Sequence, residues 1–315
     1  MNAQFKKDVG FGLSQPQKHL LSKYFYDKKG DELFMQIMAM PEYYLTRSEQ
    51  EIFELQTDKM IKSFDLSKNK PFELIELGAG DGTKTKYLLT ALLKDGYQFD
   101  YLPVDISSNV LSHLCESLQE EMPELSVKPQ QGDYFEILSE IKNDDLPKIV
   151  LFLGSNIGNL TDHLAAKFVY DLGMNLKSGD RLLIGVDKVK PVEIVLPAYN
   201  DKAGITSQFN LNLLHRINLE LGGNFDIENF EHTPEYNQQE GVARSFLRSK
   251  IDQVVTITGI GESYHFYAGE KIHMEISRKY TTKIMQEIIS DTDFVIVDVL
   301  SDSQNYFSDY ILQRC

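Results

Sequence analysis

The hydrophobic pattern of the first 60 residues is helical. From Pro16 to about Met60, apolar residues recur at steps of three and four, the spacing of one face of an α-helix. Pro41 interrupts this pattern and is expected to end the first helix, because proline lacks a backbone donor. Thr46 or Ser48, with the acidic residues that follow, is expected to cap the next helix.

From about Lys70 to Val189, apolar strands alternate with helical segments. This alternation predicts an α/β fold with a doubly wound, Rossmann-like parallel sheet. The predicted strands end near Leu77, Asp105, Lys128, Leu153 and Asp187, and the predicted helices include Thr85 to Leu93 and Asp162 to Leu176.

The alternation stops after Lys190. A predicted helix from Ser207 to Glu220 is followed by strand-like alternation from Val242 to Glu275, which indicates an inserted α+β subdomain. The chain then returns to the sheet through a helix, Thr281 to Ser290, and two strands, Phe294 to Leu300 and Tyr306 to Gln313.

A glycine-rich turn follows the first predicted strand, in the run Glu76-Leu-Gly78-Ala-Gly80-Asp-Gly82. Glycines allow the backbone to turn tightly and to approach a ligand closely. Asp105 ends the next strand, about 20 residues after the turn, where a carboxylate accepts hydrogen bonds from a ribose. This order of strand, glycine turn, helix, strand and acid predicts a nucleotide site.

The glycine spacing favours S-adenosylmethionine as the nucleotide. A dinucleotide site has a third glycine where Thr83 stands, and Glu76 is unfavourable beside a pyrophosphate but suits an ammonium group. After the third strand, Asp133 is expected to meet the adenine amino group, and Tyr134 to pack on the ring. An NAD-dependent oxidoreductase is the alternative that the same turn allows.

Composition narrows the partners of this chain. The 315 residues are 42% hydrophobic and 25% charged, with a formal net charge of -15 and a pI of about 4.9. Such acidity repels nucleic acid and anionic membranes, so neither is expected as a partner. Two cysteines, no signal-peptide core and no apolar run of about 20 residues indicate a cytoplasmic protein. Its oligomeric state is not determined by the sequence, and we expect a monomer.

Over nearly its whole length, the chain resembles the histidine Nα-methyltransferase family of ergothioneine biosynthesis. The matching runs are colinear. They include Tyr24-Phe-Tyr26-Asp27, Pro41-Glu-Tyr43-Tyr44-Leu-Thr46-Arg47-Ser-Glu49, Glu76-Leu-Gly78-Ala-Gly80 with Lys84-Thr85, Phe152-Leu-Gly154-Ser155-Asn-Ile157-Gly158-Asn159-Leu160, Ala198-Tyr199, Gly204-Ile-Thr206, Phe230-Glu-His232 and Glu275-Ile-Ser277-Arg-Lys279-Tyr280.

The resemblance implies a class I methyltransferase sheet whose last strand inserts antiparallel. It also implies four parts: residues 1–60 as the helical part of a substrate subdomain, 61–189 as the methyltransferase core, 190–279 as the inserted substrate-binding subdomain, and 280–315 as the return to the sheet. The methyl donor, S-adenosylmethionine, is implied to contact Tyr26, Gly78, Lys84, Asp105, Asp133 and Tyr134.

The same resemblance implies an amino-acid site and Nα-methylation of histidine, up to the trimethylated product. Gly154, Asn159 and Tyr199 are implied to bind the head group and Tyr44 to lie near the amine, so Tyr44 and Asn159 are the candidate catalytic residues. Glu275 and Ser277 are implied to bind the imidazole, whose N–H and lone pair match a carboxylate and a hydroxyl.

Each of these residues also has a structural interpretation. Asn159 is a candidate cap for the helix that follows it, Glu275 is a candidate exposed strand residue, and Tyr44 and Tyr199 are candidates for core packing. No metal site is expected.

The sequence departs from the family pattern at four positions. Asn156 replaces the usual threonine, Leu45 replaces a common proline, and the other two positions bear on the substrate. Arg244 and Ser245 stand where the family typically carries a glutamate and a methionine. Because a methionine there helps to wall the ring pocket, Ser245 leaves a different amino-acid substrate open as an alternative.

Overall fold

The computed structural model describes residues 3–132, 134–141 and 146–315. The chain forms two compact units, each built from two segments. We call the first the sheet unit, Leu45–Val189 with Lys279–Cys315, and the second the insert unit, Met1–Tyr44 with Lys190–Arg278.

The helices and strands of the described residues are as follows. The α-helices are α1 (Ala3–Ser14), α2 (Lys28–Ala39), α3 (Tyr44–Phe64), α4 (Thr85–Lys94), α5 (Ser108–Glu121), α6 (Tyr134–Ile141), α7 (Asp162–Gly173), α8 (Val192–Tyr199), α9 (Ile205–Leu221) and α10 (Thr282–Ile289). The strands are β1 (Phe72–Leu77), β2 (Phe99–Asp105), β3 (Ser126–Val127), β4 (Gln130–Gln131), β5 (Lys148–Phe152), β6 (Arg181–Asp187), β7 (Phe230–His232), β8 (Glu235–Asn237), β9 (Val242–Ser249), β10 (Gln253–Ile257), β11 (Glu262–Phe266), β12 (Lys271–Arg278), β13 (Phe294–Ser301) and β14 (Phe307–Arg314).

The sheet unit contains one mostly parallel sheet in the order β13-β14-β6-β5-β1-β2-β3, with β4 also pairing with β2. Strands β1, β2, β5 and β6 are parallel, and β14 lies antiparallel between β6 and β13. The predicted doubly wound sheet and its antiparallel last strand are therefore confirmed.

Helices cover both faces of this sheet, and the alternation of side chains along β1 shows how. Leu74 belongs to one core cluster with Phe53 of α3 and Leu88 of α4. Ile75, the next residue, belongs to a second cluster with Val169 of α7, on the other side. Because both faces are buried, the central strands have apolar residues at nearly every position.

The insert unit has its own core. The antiparallel strands β12, β9 and β7 form a sheet that β8 joins through β9, and β10 pairs with β11. Phe5 of α1, Leu33 of α2, Leu213 of α9, Leu247 of β9 and Phe266 of β11 share one buried cluster.

Three features of the helices differ from the sequence predictions. Helices α1 and α8 were not predicted, and Thr46 and Ser48 lie inside α3 instead of capping it. Helix α3 begins at Tyr44, directly after the turn that follows Pro41.

The end of the N-terminal segment of the insert unit also differs from the prediction. It lies at Tyr44 and not near residue 60. The physical reason is the apolar stripe of α3, because Ile52, Phe53 and Met60 are fully buried in the core of the sheet unit.

The glycine turn itself generates a stability prediction. Gly80 and Gly82 both have left-handed φ angles, 57° and 66°, but a Cβ on Gly82 would lie 2.6 Å from Cδ1 of Leu114, whereas one on Gly80 meets nothing within 4 Å. Both alanine variants share the left-handed strain of about 1–2 kcal/mol. We expect Gly82→Ala to lose about 1–2 kcal/mol more, because it also overpacks against buried Leu114. Urea unfolding without ligand measures the difference, and equal losses would contradict the packing argument.

Candidate active site

The glycine turn presents backbone at the carboxyl end of β1. Gly78 N–H donates to the carbonyl of Val104 at 2.8 Å, which ties the turn to β2. At the end of β2, half-buried Asp105 accepts a hydrogen bond from the Ser107 N–H at 2.9 Å through one oxygen. The open space above Gly80 and this carboxylate fit a nucleoside.

One apolar side chain beside Asp105 was missed by the sequence reasoning. Ile106 is 65% exposed, directly after the carboxylate. The exposed side chain of Ile106 is therefore accessible to a ligand at the end of β2. The sequence contained a signal for this residue, because an apolar side chain directly follows Asp105, the predicted ribose contact.

Tyr134 begins α6 and lies against the glycine turn. Its hydroxyl oxygen is 2.9 Å from the position that a Cβ on Gly78 would take, so the two predicted donor contacts lie side by side. A Cβ at residue 78 would require the Tyr134 hydroxyl to move and would hold a left-handed φ of 72°, which favours glycine there. Asp133, the third predicted contact in this region, lies outside the described residues.

Glu76 is buried and accepts hydrogen bonds from inside the protein. Its two oxygens accept from the Thr85 hydroxyl at 2.8 Å and from the Tyr101 hydroxyl at 2.5 Å. Burial raises the pKa of Glu76 to about 7, although the two hydrogen bonds and Lys84 oppose the shift. Glu76 therefore stabilises the turn, and its contact with a ligand ammonium stays a prediction.

Lys84 and Gly154 share a partner that the sequence reasoning missed. Glu49 of α3, fully buried, forms an ion pair with Lys84 and accepts from the Gly154 N–H at 2.9 and 3.0 Å. The signal was its place in a run that matches the family, but the sequence alone does not reveal the contacts.

Asn159 lies exposed at the end of a 3-10 helix, Asn156–Asn159, after β5. Thr161 caps α7, because its side chain accepts from the Leu164 N–H, so the capping role considered for Asn159 is wrong. The Asn159 side chain makes no hydrogen bond to another of the described residues, which leaves its amide available to a ligand.

In the insert unit, Tyr199 and Ser277 are brought together. Their hydroxyl oxygens are 2.8 Å apart in a buried hydrogen bond. The carbonyl of Tyr199 accepts from Nε2 of His232 at 2.9 Å, which makes Nε2 the protonated nitrogen. Burial lowers the pKa of His232, so the ring is neutral and holds the end of α8 in place.

Glu275 lies directly opposite Ser245 across the β12–β9 pair, and Ser277 lies opposite Ala243. Paired residues of antiparallel strands point to the same face, so these four residues share one face of the small sheet. Ser245 and Ala243 are buried and Glu275 is half-buried. The interpretation of Glu275 as an exposed strand residue is therefore wrong.

Tyr44 and Tyr26 lie in different surroundings within this unit. The ammonium of buried Lys190 is 4.5 Å from the centre of the Tyr44 ring, a cation–π contact. Tyr26 is 40% exposed, and its ring edge packs on Phe34 and Phe209 at 5.5 and 5.7 Å. Both tyrosines are held by packing, but Tyr44 is buried and only Tyr26 keeps part of its surface exposed.

Helix α9 carries two further candidates that the sequence reasoning missed. The hydroxyl of Thr206 and the amide oxygen of Asn210, one turn apart, are buried without a hydrogen-bond partner among the described residues. Buried polar atoms are normally paired, so unpaired ones point to a ligand or water.

Among the described residues, no group of three or more histidines, cysteines or acids has the arrangement of a metal site.

The sheet order, the antiparallel β14, the glycine turn and the acid at the end of β2 define a class I methyltransferase that uses S-adenosylmethionine. The chain belongs to the family described as histidine-specific, S-adenosylmethionine-dependent methyltransferases, whose model matches residues 5–314. This membership removes the support for the oxidoreductase alternative.

Named relatives agree with this family. The chain is 37% identical over 275 residues to a histidine N-alpha-methyltransferase of Mycobacterium tuberculosis, covering 87% of this chain and 84% of that protein. It is 31% identical to ergothioneine biosynthesis protein 1 of Schizosaccharomyces pombe, covering 94% of this chain and 39% of that protein. It is 28% identical to an L-tryptophan methyltransferase of Psilocybe serbica, covering 90% of this chain and 86% of that protein.

None of the helices in the described part of the chain combines the length and the apolar character that a membrane span requires.

The donor site is tested by Asp105→Ala. We expect the affinity for S-adenosylhomocysteine to fall by about 1–3 kcal/mol, because the ribose hydroxyls lose their acceptor. Calorimetry measures the affinity, with Asp100→Ala on the same strand as the control. Unchanged binding by a folded Asp105→Ala protein would mean that the ribose lies elsewhere.

Proposed function

We propose that this protein transfers methyl groups from S-adenosylmethionine to the α-amine of L-histidine, up to the trimethylated product. The observation that carries the proposal is the polar face of β12. On this face Ser277 is hydrogen-bonded to Tyr199, and Glu275 lies two residues before Ser277 on the same face. Family membership supports histidine as the substrate.

The donor is assigned to the glycine turn and its neighbours. Asp105 accepts from the ribose, Gly78 allows close approach, and Tyr134 packs beside the turn. Lys84 supplies an ammonium for a carboxylate, and Tyr26 provides an exposed aromatic face. The open space at Gly80 supports this assignment. The donor provides a methyl group on a positively charged sulfur, the electrophile of the reaction.

The imidazole is assigned to the polar face of β12. An imidazole offers one N–H and one lone pair, which match the Glu275 carboxylate and the Ser277 hydroxyl. The buried hydrogen bond between the Tyr199 and Ser277 hydroxyls, in which either can be the donor, holds the Ser277 oxygen in a fixed position. Such a fixed pair rejects side chains that leave it unsatisfied.

The α-amine must be neutral when it reacts. Its lone pair forms the new N–C bond while the S–C bond breaks, with the electrons of that bond passing to sulfur. A partly dry site next to a cationic sulfonium lowers the pKa of the ammonium, so no strong base is required. Asn159 and the Gly154 loop are assigned to the carboxylate and Tyr44 to the amine, and alignment supplies much of the acceleration.

A second candidate is the Nα-methylation of a different amino acid. Ser245 lies opposite Glu275, where a methionine is typical, and serine leaves more room on that face. The similarity to an L-tryptophan methyltransferase shows that this class of relative includes other substrates. We rank histidine first because the carboxylate of Glu275 is retained.

We also infer that the enzyme acts in the cytoplasm as a monomer, with a small amino acid as its partner. The low cysteine content and the acidic composition support this inference.

Product analysis tests the proposed function. We expect mass spectrometry, after incubation with S-adenosylmethionine and histidine, to show additions of one to three methyl groups, located on the α-nitrogen by fragmentation. The same incubation with each other amino acid is the comparison. A ring-methylated product would reverse the proposed orientation, and faster turnover of another amino acid would favour the second candidate.

The imidazole assignment is tested by Glu275→Ala. We expect kcat/KM for histidine to fall by about 1.5–3 kcal/mol, because a charged hydrogen-bond partner is lost, while donor affinity stays nearly unchanged. Activity toward phenylalanine should fall much less, since its ring never used the carboxylate. Glu262→Ala, an exposed acid on β11, is the control. Equal losses for both substrates would make Glu275 a structural residue.

A further inference from the structure

The Glu49 carboxylate is completely buried in the sheet unit. Burying a charged carboxylate costs several kcal/mol unless an opposite charge and hydrogen bonds compensate for it. Lys84 supplies the charge, and the Gly154 N–H donates to both carboxylate oxygens. One side chain on α3 is therefore the common partner of the turn after β1 and of the loop after β5.

The sheet fixes the position of this carboxylate. A Cβ on Gly185 of β6 would lie 2.1 Å from Oε1 of Glu49 and 3.0 Å from Cε1 of Phe307. The carboxylate thus packs directly on strand backbone, with no space for a side chain between them. The Glu49 carboxylate is attached to helix α3 and rests on strand β6. Because both are regular elements, its contacts with Lys84 and with the Gly154 N–H are fixed in position.

Three acids surround Lys84, and they differ in how strongly each raises its pKa. Burial alone would lower the pKa of Lys84, but Glu49, then Glu76 and Asp309, raise it above its ordinary value. Burial and the charge of Glu49 raise the pKa of Asp309 well above its ordinary value, which favours its uncharged form, and of the three acids Asp309 contributes least to the pKa shift of Lys84. Neither oxygen of Asp309 has a hydrogen-bond partner among the described residues. Glu49 is therefore the main counterion of Lys84.

We propose that Glu49 is a positioning residue for the methyl transfer, which holds the Lys84 ammonium and the Gly154 N–H where the donor and the amino acid require them. The inference rests on the proposed function, which assigns Lys84 to the donor and Gly154 to the head group. Glu49 acts through these two residues. Loss of its charge changes the donor site first, because Lys84 loses its counterion.

The test uses Glu49→Gln and S-adenosylhomocysteine binding. The variant keeps an acceptor for the Gly154 N–H but removes the charge that stabilises the Lys84 ammonium. We expect calorimetry to show binding weakened about 10- to 100-fold at neutral pH. The ratio of variant to wild-type Kd should rise further as the pH is raised, because without Glu49 the burial of Lys84 lowers its pKa and it loses its proton at a lower pH than in the wild type. Titration of the ligand cancels in this ratio.

Two matched variants separate positioning from folding. Asp309→Asn changes a neighbouring buried carboxyl whose raised pKa favours the uncharged form, and the affinity of this variant should stay within about twofold of wild type at neutral pH. The double variant, Glu49→Gln with Lys84→Met, leaves neither charge of the pair buried alone. We therefore expect it to fold, so that its donor affinity can be measured even if Glu49→Gln alone unfolds the protein. We expect the double variant to bind as Lys84→Met alone does, because Glu49 then has no charge to hold.

Either of two results would overturn the inference: a Kd ratio near one that does not change with pH, or equal weakening by Glu49→Gln with and without Lys84. These readouts are donor affinities and do not depend on the amino acid. If the wild-type enzyme binds S-adenosylhomocysteine but leaves histidine unmethylated, the proposed function fails, and the Kd ratio still decides the role of Glu49.

Discussion

The burial of the central strands on both faces is the constraint on which the sheet unit depends. All six residues of β1 and all five of β5 are buried, so the middle of the sheet has no room for a ligand. On these central strands, the carboxyl ends are where a ligand can approach. Gly78, Asp105 and Gly154 all lie at such ends, on three adjacent strands, which is why a nucleotide and its chemistry are assigned there.

The same burial makes each buried charge in this unit depend on a partner. Asp187 and Lys279 are both fully buried and 2.7 Å apart, and Glu73 pairs with Lys148 at 3.2 Å. Where no cation is free for an acid, the pKa rises instead, as it does for Asp309. Removing one member of such a pair is more damaging than removing both, because the remaining charge is left buried alone. Pairing of this kind stabilises one arrangement of loops.

Sequence reasoning predicted the sheet well because strand period, strand length and the glycine turn are local signals. It missed α1 and α8, in which tertiary packing overrides local preference: α1 contains Gly12, whose Cβ would lie 2.2 Å from the carbonyl of His19, and α8 contains Pro197. In the candidate site, resemblance located the residues but not their partners. The contacts of Glu49 join positions 35 and 105 residues away, and only the folded chain reveals them.

A one-residue irregularity in β12 decides which side chains the insert unit offers to a ligand. Up to His273, β12 pairs with β9 so that Ile272 faces Leu247, but the register shifts before Glu275. Unshifted pairing would set Glu275 opposite half-exposed Arg244. The bulge sets it opposite buried Ser245 instead, on the same face as Ser277. Glu275 and Ser277 share a face in either register because they are two residues apart, but a regular strand of the same sequence would turn both of them away from the face of buried Ser245 and Ala243.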